Sequence, residues 1–177
     1  MNKFLKSPLT SGKGCSIYKL ETCNPNMDNV IEFRDCFLGG GSYPLYISQL
    51  YPHLDIWVND LYEPVYNFWC NLKENGEKMC EDLLLLKEGY NDCEMLLILF
   101  EECREVLEIG NSYERAIAFL VLNNFTEKNI RKLPAISNVI KNWVITNLDY
   151  NEVLSTKDIY GLTFVYLDPP HYIYHDK

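Results

Sequence analysis

No apolar run in this sequence reaches the roughly 18 residues that a membrane-spanning helix needs, and the opening stretch MNKFLKSPLTSGKG lacks the apolar core of a secretory signal. The expectation is a cytoplasmic protein without membrane attachment. No two of the seven cysteines, at 15, 23, 36, 70, 80, 93 and 103, form a C-x-x-C pair, and His53, His171 and His175 stand at no spacing that would join them to a zinc site. The expectation is no metal, with reduced thiols packed as small apolar groups. The dinucleotide fingerprint G-x-G-x-x-G is missing as well, because Gly41 is followed by Ser42, Tyr43 and Pro44. A nicotinamide cofactor loses ground accordingly. Repeats and low-complexity segments are absent. The 9 glycines and 8 prolines are scattered, except at Gly39-Gly40-Gly41 and Pro169-Pro170.

What is there is apolar enough to fold. Hydrophobic residues make up 47% of the 177 positions and aromatic residues 14%, which suits one globular domain spanning 1–177. The net charge of −9 speaks against a nucleic-acid partner until its distribution is considered. Residues 71–110 hold 11 acids and 4 bases, so the acidity is concentrated there. Residues 128–148 carry Lys128, Arg131, Lys132 and Lys141 and no acid. Two readings of that segment stay open, a solvated helix face and a weak phosphate-binding surface.

Alternating bulky residues predict a strand over Asn29–Phe37, and the glycines lead from it into a short helix, SYPLYISQLY, with Ser42 as N-cap. A second strand is expected over His53–Asp60 and a helix over Glu63–Leu72, with Pro64 tolerated in its first turn. Helical spacing continues over 77–107 and 112–122, and Asn129–Lys141 reads as a helix broken near Pro134. Trp143–Asn147 and Leu162–Leu167 look like further strands. Strands alternating with helices predict an α/β fold, a mainly parallel sheet with helices on both faces and a ligand crevice at the carboxyl ends of the strands. Residues 73–141 form a helical insertion in this scheme.

Glycines after a first strand let a ligand approach the backbone, and an acid at the tip of the second strand can accept hydrogen bonds from ribose hydroxyls. Asp60 lies 19 residues after Gly41. Asp168-Pro169-Pro170-His171 follows a further apolar strand. Together with Gly12-Lys13, Phe37-Leu38-Gly39-Gly40-Gly41, Asn59-Asp60 and Asp149-Tyr150, this ordered set resembles the Dam-type adenine-specific DNA methyltransferases. The stretch Arg115–Asn123 and Phe125-Thr126 resemble the surroundings of that family's target-recognition loop.

The resemblance implies a Rossmann-like methyltransferase fold, S-adenosylmethionine as methyl donor, double-stranded DNA as partner and the exocyclic N6 amine of adenine as acceptor. It implies that Gly12, Lys13, Phe37, Gly39, Gly41, Asp60, Asp149, Tyr150 and Asp168 touch the cofactor. Asp168, Pro169, Pro170 and His171 would form the catalytic rim, Asp35 would lie near the methionine moiety, and Lys128, Arg131, Lys132 and Lys141 would contact DNA. Three departures stand out. Asn124 alone separates Asn123 from Phe125 where the family has a longer recognition loop; His171 replaces the tyrosine of Asp-Pro-Pro-Tyr, although Tyr172 is adjacent; and Lys177 follows soon after the motif. The expectation is a shortened chain, inactive alone and completed by a downstream-encoded segment. Three readings remain open: an adenine-N6 methyltransferase, a cofactor-binding remnant or half of a split enzyme, and a helical interaction module built on the acidic region.

Overall fold

The computed structural model describes residues 4–9, 20, 22–90, 92–157 and 161–170. Four strands, β1 (Val30–Asp35), β2 (Asp55–Asn59), β3 (Val144–Thr146) and β4 (Leu162–Tyr166), form one sheet in the order β3-β2-β1-β4, and every neighbouring pair is parallel. The chain steps outward from β1 to β2 and β3, then crosses back to place β4 on the other side of β1. The direction of winding therefore changes beside β1, and in such sheets the crevice opens there, at the carboxyl ends of the strands.

A short 3-10 helix (Met27–Asn29) precedes β1, and the α-helices bounded within the described residues are α1 (Ser42–Leu50), α2 (Glu63–Gly89), α3 (Cys93–Ile109), α4 (Ser112–Asn124), α5 (Glu127–Ile130), α6 (Leu133–Ile140) and α7 (Tyr150–Ser155). None is long and apolar enough to cross a membrane. Alternation along the strands gives the sheet two unlike faces, because paired residues of parallel strands project to the same side. One face carries Phe33, Ile56, Val58, Ile145 and Phe164, and α1 lies against it, with the Tyr43 ring 5.8 Å from Phe33. The other carries Glu32, Arg34, Trp57, Asn59, Thr146 and Thr163, and there α7 meets Arg34. Helices on both faces of a parallel sheet are the predicted α/β architecture, in a sheet that is small.

Several boundaries differ from the sequence-based expectation for identifiable reasons. Ser42 is the first residue of α1, and its cap is Gly41 at φ +62°, a left-handed conformation that serine adopts poorly. The helix expected to end at Leu72 runs to Gly89, interrupted by non-helical angles at Asn75. The break expected at Pro134 falls earlier, at Arg131–Lys132. Pro134 sits in the first turn of α6, where its missing N–H costs nothing. Helix starts α3 and α4 are capped by Asp92 and by an Asn111/Glu114 capping box. Of the cysteines expected in the core, Cys36 and Cys103 are buried, while Cys23 and Cys93 are exposed.

The interruption in α2 is built into the packing. Ser137 Oγ on α6 donates to the Lys73 carbonyl at 3.0 Å, Lys73 Nζ donates to the Trp143 carbonyl at 3.0 Å, and Ser137 presses against Gly76 so closely that a Cβ there would collide. Helix α4 bridges the two halves, Ser112 bonding with Asn67 and Asn71 before the break and the Tyr113 hydroxyl donating to Asp82 after it. Gly76→Ala is expected to destabilise the protein by about 1–3 kcal/mol through overpacking, read as a lower denaturant midpoint at unchanged slope. Ser137→Gly in the same chain should recover part of the loss.

Candidate functional site

A cavity of about 700 Å³ opens where the winding of the sheet reverses. Its walls come from Asp35 at the end of β1, the loop 37–41, the start of α1, Asp60–Tyr62 after β2, and Tyr166, Asp168 and Pro170 at the end of β4.

The loop after β1 is shaped by its own amides. Phe37 N–H donates to Asp35 Oδ1 at 3.0 Å, Leu38 N–H to the Asn59 carbonyl at 2.8 Å, Gly39 N–H to Asp60 Oδ2 at 2.7 Å and Gly41 N–H to the Leu38 carbonyl at 2.7 Å. From behind, the fully buried Trp69 of α2 donates Nε1–H to the Gly39 carbonyl at 3.1 Å. Its ring occupies the place where a side chain on Gly41 would go. The positive φ and the indole together require glycine at 41.

Asp60 accepts from Gly39 N–H and, through Oδ1 at 2.9 Å, from Tyr62 N–H. A carboxylate offers about four acceptor positions, so two directions remain for donors within the cavity. Burial pushes the Asp60 pKa up, and the two amide bonds pull it back in part. Its neighbour Asn59 is fully buried and gathers three segments: Nδ2 donates to the Cys36 carbonyl (3.3 Å) and the Leu148 carbonyl (2.9 Å), while Oδ1 accepts from Thr146 Oγ1 and Leu148 N–H (both 2.8 Å). Asn147 Nδ2 adds bonds to the Asp60 and Leu61 carbonyls at 2.7 and 3.0 Å.

Across the cavity, the Tyr166 hydroxyl donates to Asp168 Oδ2 at 3.3 Å, and its ring lies 4.5 Å from that of Tyr43. Burial, with Asp168 and Asp35 nearby, raises the Tyr166 pKa, so the phenol keeps its proton. Asp35 is buried on the same wall. Sequence reasoning missed Tyr43, Tyr62 and Tyr166 as cavity residues. The signal for Tyr166 was available: it ends the apolar strand two positions before Asp168, at the carboxyl end where the crevice of such a sheet opens.

The expected residues thus divide. Phe37, Gly39, Gly41, Asp60, Asp168 and Pro170 meet at one cavity, and Pro169 is exposed beside it. Asp149 and Tyr150 stand outside the lining. Asp149 caps α7 in a capping box with Glu152, and the Tyr150 ring packs 5.6 Å from the Phe37 ring. Gly12, Lys13 and His171 lie outside the described residues. The four cations do not gather at the cavity. Arg131 pairs with Glu127 at 2.8 Å, Lys132 Nζ donates to Asn129 Oδ1 at 2.8 Å, and Lys128 is exposed. Lys141 lines a separate depression with His53, Asp55 and Trp143, at the amino ends of the strands and therefore at the opposite end of the sheet.

A glycine loop braced by an aromatic ring, an acid at the tip of β2 and a second acid after β4 at one switch-point cavity are an arrangement suited to a nucleoside-containing ligand. No curated protein matches the chain. The family model for D12 class N6 adenine-specific DNA methyltransferase matches residues 16–139, a stretch that holds the glycine loop, Asp60 and helices α1–α5 and ends short of Asp168. With more than half of its length matched by that model and its acids and glycines converging as described, the chain belongs to the D12 class of N6 adenine-specific DNA methyltransferases.

Proposed function

We propose that the cavity binds S-adenosylmethionine and that the chain carries the site for methyl transfer to the N6 amine of an adenine in double-stranded DNA. The observation that carries this reading is the meeting of the Gly39–Gly41 loop, Asp60 and Asp168 on one cavity in a member of this family. The fit to the cofactor rests on Asp60, which has acceptor directions to spare for a ribose diol, and on Phe37, which offers an apolar edge to the adenine base. Gly12 and Lys13 are proposed as further cofactor contacts, and Asp149 and Tyr150 as its support on the adenine side.

S-adenosylmethionine supplies an electrophilic methyl group. The chain's own work is to hold the acceptor. The amine of adenine is a poor nucleophile because its lone pair is delocalised into the ring, and a base must leave the duplex to reach a site of this kind. Asp168 accepts one amine hydrogen and the Pro169 carbonyl the other, which turns the nitrogen lone pair out of the ring and toward the methyl group. Asp168, already accepting an amine hydrogen, would take the proton that the nitrogen gives up as it is methylated. Tyr166, bonded to Asp168, holds the carboxylate in orientation. His171 is proposed to stack on the base with a smaller face than tyrosine would offer.

A second reading, in which the chain binds cofactor without turnover until another segment completes the fold, is favoured by the edge position of β4. That strand pairs only with β1 among the described residues, and Leu162 within it and Leu167 just after it are 61% and 50% exposed. Incubation with labelled S-adenosylmethionine and duplex DNA divides the readings. Formation of N6-methyladenine that Asp168→Ala abolishes supports the first, bound cofactor with no methyl transfer supports the second, and neither binding nor transfer overturns both.

For the cofactor itself, Asp60→Ala should raise the dissociation constant at least about tenfold, since a hydrogen bond to a charged group contributes about 1.5–3 kcal/mol. Asp60→Asn, which still accepts through one oxygen, should fall between. Calorimetric titration reads both, and equal affinities would remove Asp60 from the site.

The raised pKa of Asp60 gives a pH signature. Its ionised form is the better acceptor of two hydroxyl hydrogens, and burial holds the proton on to a higher pH than in an exposed carboxyl. Affinity should therefore begin to fall on acidification above the ordinary carboxylate range of about 4, and that fall should be missing in Asp60→Ala. A wild-type affinity that stays flat until the ordinary carboxylate range would contradict the assignment.

A further inference from the structure

Arg34 lies in the central strand with its side chain 3% exposed, on the polar face of the sheet and away from the cavity. Its guanidinium makes a full set of directed contacts. Nε and Nη2 meet Glu32 Oε2 at 2.9 and 2.7 Å, Nη1 donates to the Val153 carbonyl at 3.3 Å and the Thr156 carbonyl at 2.7 Å, and the plane stands 5.0 Å from the Trp57 ring centroid. Glu32 is fixed in turn by Thr163 Oγ1 on β4 at 2.8 Å.

The two carbonyls are informative. Val153 and Thr156 close the carboxyl end of α7, where carbonyls have no partner within the helix and a cation is favoured. A helix of 6 residues is too short to hold itself, so its placement depends on its ends. The amino end is closed by the Asp149/Glu152 capping box, and the carboxyl end is tied to the sheet by Arg34. Immediately at the amino end stands Tyr150, whose ring packs on Phe37, and Phe37 lines the cavity. A buried ion pair is weak as a source of stability, since apolar residues of like volume commonly do as well. A fork that fixes two carbonyls and one carboxylate in a plane is suited to orientation instead.

We propose that Arg34 is a positioning residue that clamps the end of α7 onto the sheet and thereby holds the Tyr150 ring behind Phe37, which lines the adenine side of the cofactor site. The proposal rests on the cofactor reading above for its functional half. Its structural half, the clamp, is independent of that reading. Lysine cannot replace the arginine, because one ammonium cannot face Glu32 and both carbonyls with the geometry of the fork.

The test combines two readouts on the full chain. Removing Arg34 alone would leave the half-buried Glu32 without its counter-charge, so the main variant is the neutral pair Arg34→Met/Glu32→Gln, with Arg34→Lys as the milder one. Hydrogen exchange followed by mass spectrometry should show faster exchange across 149–156 than across α1. Calorimetric titration with S-adenosylhomocysteine should show affinity reduced by about three- to tenfold in the paired variant, the size expected for residues coupled through one element. In a Tyr150→Ala background the same pair should accelerate exchange across 149–156 but leave affinity where Tyr150→Ala has put it. Arg34→Lys should fall between wild type and the pair in both readouts.

Exchange accelerated equally throughout the chain would overturn the proposal, because that is the mark of general destabilisation. Affinity losses that add fully in the Tyr150→Ala background would overturn it too, since Arg34 would then act by another route. A wild-type chain that binds no S-adenosylhomocysteine contradicts the cofactor reading separately, and the exchange pattern alone then decides the clamp.

Discussion

The amide of Asn59 uses its whole hydrogen-bonding capacity inside the protein: two donors to the Cys36 and Leu148 carbonyls, and two lone pairs for Thr146 Oγ1 and Leu148 N–H. Those partners belong to the segments that leave β1 and β3, while Asn59 itself ends β2. The loops that build the cavity therefore share one buried group. Replacement by an apolar residue would leave four polar partners to find other company, at about 1–3 kcal/mol for each that stays unsatisfied. Asp60 follows Asn59 directly, so the same anchor that joins the strand ends also sets the height and direction of the acid in the cavity.

From that anchor the sheet divides its labour by face. The apolar side, with Phe33, Val58 and Phe164, is filled by α1 and gives the sheet its core. The polar side runs as a chain of contacts from Thr163 through Glu32 and Arg34 to Trp57, and Trp57 Nε1–H reaches Thr146 Oγ1 at 2.9 Å, which in turn bonds Asn59. All four strands contribute to it. A buried polar network in which the members are satisfied fixes relative positions more narrowly than apolar packing can. Its two ends sit where position matters, at the strand that leads to Asp168 and at the loop that carries Asp60.

Much of this was legible in the residues. A strand, a glycine turn and an acid at the next strand tip follow from alternation, composition and the spacing of Gly41 and Asp60, and the parallel sheet follows from alternating strands and helices. What was lost has physical causes. Gly41 rather than Ser42 caps α1 because the turn demands a left-handed residue and a gap for Trp69, a partner 28 positions away that no local pattern reveals. The length of α2 was hidden because the helix is interrupted at Asn75, and the interruption is held by α6, a partner distant in sequence. The capping of α7 by Asp149 was hidden behind its motif, although Asn and Asp perform that duty commonly. Lys141 has a place that the topology alone supplies. It immediately precedes β3, and in a parallel sheet every residue that leads into a strand lies at the end opposite the crevice.

The central claim is that this cavity receives a nucleoside through Asp60 and the glycine loop, with Asp168 facing it. The most direct measurement is a crystal structure of the chain soaked or grown with S-adenosylhomocysteine. The account predicts both ribose hydroxyls within hydrogen-bonding distance of the Asp60 carboxylate, the base against Phe37 and the thioether directed toward Asp168. A ligand bound elsewhere, or one seated in the cavity with Asp60 touching only Gly39 and Tyr62, would contradict it.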